Sequence, residues 1–134
     1  MHIEPTSEQL GVFAQKIDDP EPLFMLNLLR FKERADGVDE GMSGAEAYAR
    51  YGEEAAPFLD RVGGRLLHAA ATDQTVIGPE EREWDMVLLV EYPSRQAFLE
   101  MAGDPGYLEV HKHREAALED SRLIACTQVP GLAP

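Results

Sequence analysis

Apolar positions recur along this chain with two alternating periods, and their order predicts its architecture. Thr6 and Gln9 stand in a capping-box spacing. Leu10, Phe13, Ala14 and Ile17 follow at i, i+3, i+4 and i+7, the stripe of a short amphipathic helix that Asp18-Asp19-Pro20 stops. Leu23 to Phe31 is nearly continuous apolar sequence, as in a central strand covered on both faces. Lys32 to Met42 is a polar loop with Gly37 and Gly41, a mobile loop by default and a lid as the sharper alternative. Ser43 and Glu46 form a second capping box, after which Tyr48, Tyr51, Ala55, Leu59 and Val62 make a helical stripe. Pro57 should kink or split that helix, and Gly63-Gly64 should end it.

The second half repeats the alternation. Arg65 to Ile77 reads as a strand, residues 78–83 as an acidic solvated turn, and Trp84 to Tyr92 as a third strand. Pro93-Ser94 opens a helix running to about Met101, and Asp104-Pro105 opens another running to about Leu118. Arg122 to Val129 reads as the fourth strand. The order β-α-β-β-α-β predicts an α+β, ferredoxin-like domain with a four-stranded antiparallel sheet and helices on one face. Residues 1–134 read as one domain, with 1–20 a helical extension and 22–129 the core. The first and third strands leave the open face too apolar to stay wet, so a homodimer is expected, its two sheets enclosing a barrel cavity.

Composition narrows the function classes. A net charge of −13 with no Lys/Arg cluster argues against nucleic acid and against anionic membrane surfaces. No apolar run reaches a membrane span, and the N-terminus lacks a signal-peptide pattern, so a cytoplasmic location is expected. The single cysteine, Cys126, excludes an internal disulfide and reads as a small buried hydrophobe in an apolar run.

No phosphate-cradling loop, CxxC pair, G-x-S-x-G elbow or H-E-x-x-H motif is present. His111-Lys112-His113 resembles a metal pair, but on a helix two residues apart project about 200° from each other and cannot share an ion, so no metal is expected. His111 instead shares a helical stripe with Tyr107, Arg114 and Leu118, and His113 becomes a bystander. Tyr, His and Arg on one face suit a carboxylate or phenolate, with His111 as acid or base and Arg114 holding the anion. The structural alternative is a hydrogen-bonded seam histidine and an Arg114 paired with a surface acid. Asn27 interrupts the most apolar strand, so its amide serves either a ligand or a structural bond. Tyr51 and Tyr107 are expected to line the site, with Tyr48 as core. Arg30 has the opposite strand parity to Asn27 but lies near the site mouth, and His68 faces the cavity or its rim.

Met25-Leu26-Asn27-Leu28-Leu29-Arg30-Phe31, Val62-Gly63-Gly64-Arg65, Val90-Glu91-Tyr92-Pro93-Ser94, Asp104-Pro105-Gly106-Tyr107 and His113-Arg114, in that order, resemble the family of domain of unknown function 1330 over roughly residues 22–129. The resemblance implies a ferredoxin-like subunit of a dimeric α/β barrel. That superfamily includes cofactor-free monooxygenases of aromatic substrates, isomerases and haem enzymes, and the family itself carries no established reaction. The expectation is a small organic acid or aromatic molecule bound or transformed in the barrel without a tightly bound cofactor. The alternative is a non-enzymatic dimeric module with a filled barrel.

Overall fold

The sheet grows outward from its most apolar strand. The computed structural model describes residues 1–132. In chain order the elements are α1 (Ser7–Ala14), β1 (Leu23–Phe31), α2 (Gly44–Arg61), β2 (Arg65–Ala71), β3 (Met86–Tyr92), α3 (Arg95–Gly103), α4 (Pro105–Ala117) and β4 (Leu118–Cys126). A 3₁₀ turn at Gly37–Asp39 lies between β1 and α2. β1 pairs antiparallel with β3 on one side and β4 on the other, and β2 closes the far edge, giving the ferredoxin-like order β2-β3-β1-β4.

Local chemistry fixes the helix starts. Both capping boxes form: Thr6 Oγ1 accepts from the Gln9 N–H, and Ser43 Oγ from the Glu46 N–H. Ser94 and Asp104 cap α3 and α4. Gly44 is required at the start of α2, because a Cβ there would overlap the Lys32 and Ala117 carbonyl oxygens. Gly63, at φ +79°, turns the chain out of α2.

Burial alternates along β1. Leu23, Met25, Asn27 and Leu29 are buried under the helices, while Phe24, Leu26, Leu28 and Arg30 are half-buried on the open face. Within one chain, β1 is therefore covered on one face rather than two. The core has two centres: Leu29 packs with Ala47, Tyr48, Ala117 and Leu118, and Leu23 and Met25 pack with Ala55, Tyr92 and Met101.

Several boundaries differ from the sequence reading. α2 runs unbroken through Pro57, which is exposed, so the carbonyl it leaves unbonded can be hydrated. β2 ends at Ala71, and Thr72 still reaches the chain entering β3, its N–H donating to Asp85 O and its hydroxyl to Trp84 O. Val76 and Ile77, expected in the strand, are exposed in the connection that follows. β4 starts at Leu118, directly after α4, and ends at Cys126 rather than Val129. Cys126 is half-exposed rather than buried. The 32–42 loop is tied down: Lys32 and Asp36 N–H donate to Ala117 and Ala116 carbonyls, and the Asp39 side chain is fully buried.

Candidate functional site

The helices do not seal against the sheet. A cleft of about 1320 Å³ separates them, with Met25, Asn27, Leu88 and Val90 on the sheet side and Tyr48, Tyr51, Phe98, Met101, Tyr107, His111 and Arg114 on the helix side. His2 to Thr6, with Gln9, Leu10 and Phe13, line its outer rim. The N-terminal segment thus takes the place expected for the 32–42 loop, which does not reach the cleft. This cleft lies within the single chain, between sheet and helices, on the face of β1 opposite the one expected to meet a second copy. The reason is the parity of β1: Asn27 belongs to the buried row with Met25 and Leu29.

The helical stripe of α4 assembles as its spacing predicts. Tyr107 and His111, one turn apart, bring Tyr107 Oη and His111 Nδ1 to 3.3 Å. Tyr51, reaching across from α2, brings its hydroxyl to 2.7 Å from Tyr107 Oη. His111 Nε2 lies 2.8 Å from Glu4 Oε1 on the N-terminal segment. A continuous hydrogen-bonded file therefore runs Tyr51, Tyr107, His111, Glu4, from the cleft to solvent. The carboxylate can only accept, so Nε2 carries hydrogen and donates to it. Asn27 Nδ2 donates to Met25 O at 3.3 Å, and among the described residues its amide oxygen has no donor.

Arg114 is the most informative residue. It is 7% exposed. Its one hydrogen bond among the described residues runs from Nη1 to Ile3 O at 2.9 Å, and no described carboxylate pairs with it. An unpaired buried charge is costly, by several kcal/mol in real proteins. Burial pushes the phenols of Tyr48, Tyr51 and Tyr107 above their usual range, and the Arg114 guanidinium pulls against that shift at all three. The phenols therefore stay protonated at neutral pH and can donate. The Arg114 guanidinium, several hydroxyl donors and an apolar wall converge on the same cleft.

Two expected residues stand elsewhere. Arg30 and His68 lie on the open face, His68 opposite Leu89 and Arg30 opposite Asp120. Arg30 sits 3.9 Å from both Glu119 and Asp120 rather than at the site mouth, and its Nε has no hydrogen-bond partner among the described residues. His113 points away from His111, as helical geometry requires. Its Nδ1 is 2.6 Å from Asp39 and its Nε2 3.1 Å from Glu54, with Arg50 bonded to both acids. The bystander histidine thus ties the 3₁₀ turn to α2 and α4.

Glu4 is the participant that the sequence did not reveal. Its contact spans 107 positions, and no local period signals it. Glu4, His111 and Glu115 also bring ligand atoms within 4.8 Å of one another, a group that could hold a divalent ion. The Glu4–His111 hydrogen bond already satisfies Nε2 there without one. A smaller polar hollow of about 520 Å³ lies along the connection of residues 72–84, and none of its lining side chains is buried.

The family model for Domain of unknown function (DUF1330) matches residues 40–128, two elements short of the N-terminus but covering α2 to β4. The chain belongs to this family of unknown function. A Rhodopseudomonas palustris protein of unknown function, solved by crystallography, is 44% identical over 96% of this chain and 97% of its own, with a TM-score of 0.89. A dimeric Bacteroides fragilis protein of unknown function with a ferredoxin-like fold is 12% identical over 80% of this chain and 96% of its own, with a TM-score of 0.53. The hydroxynitrile lyase of Passiflora edulis is 15% identical over 85% of this chain and 99% of its own, with a TM-score of 0.55. The last two likenesses concern the DUF1330 chain's fold alone. No curated protein matches the chain in sequence. Among the described residues no helix is long and apolar enough to cross a membrane.

Proposed function

We propose that this DUF1330 protein binds a small organic anion with an apolar body, such as an aromatic carboxylate or an enolate, in the cleft between sheet and helices. Arg114 holds the anionic oxygens, Asn27 orients the ligand, Tyr51 and Tyr107 donate to it, and His111 receives or returns a proton through the phenols. No tightly bound cofactor takes part. The observation that carries this reading is Arg114: a guanidinium buried in a largely apolar cleft, with no carboxylate partner among the described residues, calls for an anion from outside. The cleft volume exceeds the few hundred Å³ of an ordinary small-molecule site.

The chain is further read as one cytoplasmic domain that pairs with a second copy through its open sheet face. Phe24, Leu26, Leu28 and Ile124 supply that face with apolar surface, and Ile124 is 44% exposed in the single chain. Each protomer keeps its own cleft in such a dimer.

Calorimetric titration with benzoate tests the anion reading. Wild-type protein is expected to bind it, and Arg114→Met to bind about 10- to 100-fold more weakly, the loss of hydrogen bonds to a charged group. Thermal stability of the variant should change little, because removing a buried charge without a carboxylate partner offsets the loss of its hydrogen bond to Ile3 O. Equal binding by both proteins would remove Arg114 from the site.

A further inference from the structure

The N-terminal segment lies outside the span of the family model, yet it supplies the last member of the hydrogen-bonded file. Three bonds fix its backbone just before Glu4. The His2 N–H donates to Asp120 Oδ1, Ser121 Oγ donates to His2 O, and Arg114 Nη1 donates to Ile3 O. An otherwise exposed glutamate is thereby held 2.8 Å from His111 Nε2. Arg114, which faces the proposed anion, also anchors the strap that carries Glu4.

We propose that Glu4 is a positioning residue for His111: it keeps the Nε2–H engaged, so that Nδ1 is the nitrogen that gains and loses the proton exchanged with Tyr107. Both protonation states of the file are then fully bonded. With His111 neutral, Tyr51 donates to Tyr107 and Tyr107 donates to Nδ1. When a ligand gives its proton to Tyr51 Oη, the Tyr51 proton passes to Tyr107 and the Tyr107 proton to Nδ1. The electron pair of the broken bond to hydrogen stays on the ligand beside Arg114. In the product state Nδ1–H donates to Tyr107, Tyr107 to Tyr51, and Tyr51 to the ligand anion. Every bond of the file reverses except one. Nε2–H donates to Glu4 in both states, and the carboxylate balances the imidazolium.

The role rests on the anion-binding reading of the cleft, but its test needs no ligand. In the ligand-free, full-length, ¹⁵N-labelled protein, the His111 Nε2–H should give a slowly exchanging downfield proton resonance, because a carboxylate holds it. Glu4→Ala should abolish that resonance while leaving the backbone spectrum of the sheet unchanged. Glu115→Ala should preserve it, since Glu115 Oε1 stands farther from Nε2, at 3.8 Å. Survival of the resonance in Glu4→Ala would overturn the proposal, and so would its absence from the wild-type spectrum or its loss in Glu115→Ala alone. Benzoate titration reports separately on the cleft, so a failed binding experiment and a failed resonance experiment remain distinct results.

Discussion

The two faces of β1 carry nearly the same kind of side chain and meet different fates. Leu23, Met25, Asn27 and Leu29 look toward the helices, and Phe24, Leu26, Leu28 and Arg30 look away. On the helix side the polar exceptions converge with Arg114 and the tyrosines on one cleft. On the open side the exceptions pair locally, Arg30 near Glu119 and Asp120, and what is left is apolar. Hydrophobicity alone thus does not mark a site. What distinguishes the helix side is polar chemistry gathered on one cleft: among the described residues, a guanidinium with no carboxylate, an amide oxygen with no donor, and phenols held neutral by burial.

Substitutions on the two rows of the same strand should separate these fates. Leu29 is fully buried, so Leu29→Ala should cost about 2–5 kcal/mol in urea unfolding at any protein concentration. Leu26→Asp, on the opposite row, should act mainly on association. Sedimentation should show the wild type as a dimer at micromolar concentration and the variant as a monomer, with benzoate binding retained. A wild type that sediments as a monomer would remove the dimer from the account. Loss of benzoate binding in a folded Leu26→Asp monomer would show that the two faces are coupled.

A smaller effect belongs to the seam where the N-terminal strap meets β4. Burial alone would raise the Asp120 carboxyl, but the His2 N–H, the Arg122 guanidinium and the Ser121 N–H outweigh it and hold the pKa at about 2, against the usual 3.8. The folded-state value is depressed. The resulting stabilisation is present above the unfolded value and is lost as pH falls from there toward the folded one. Screening at a partly exposed site holds it to on the order of 1 kcal/mol. Between about pH 4 and pH 2 the wild type should therefore lose this increment, and Asp120→Asn should lack it throughout. Identical urea midpoints for the two proteins at neutral pH would show that the seam contributes nothing.

Much of the fold and part of the site were legible in the sequence, for identifiable reasons. The capping boxes at Thr6 and Ser43 and the Asp104-Pro105 start are local chemistry, and each forms as spelled. The stripe Tyr107, His111, Arg114 follows from the helical period, and α4 brings those side chains to one cleft. The side of the sheet on which the cleft lies was not legible, because both parities of Leu23–Phe31 are apolar and neither is marked as facing the helices. The early start of β4 was hidden because Ala117 passes into Leu118 with no turn residue between them. Glu119, Asp120 and Ser121 look like a polar loop but pair with or beside Arg30 and Leu29. Glu4 belongs to a class of contact that no local pattern encodes, since its partner is fixed only once β4 has anchored His2.

The most direct test of the central claim is where an anion settles. Crystals of the wild-type protein soaked with 4-bromobenzoate should show the bromine anomalous signal inside a single protomer, between sheet and helices, with the carboxylate against Arg114. A signal confined to the open sheet face, or between two copies, would contradict the account and return the site to the other face of β1.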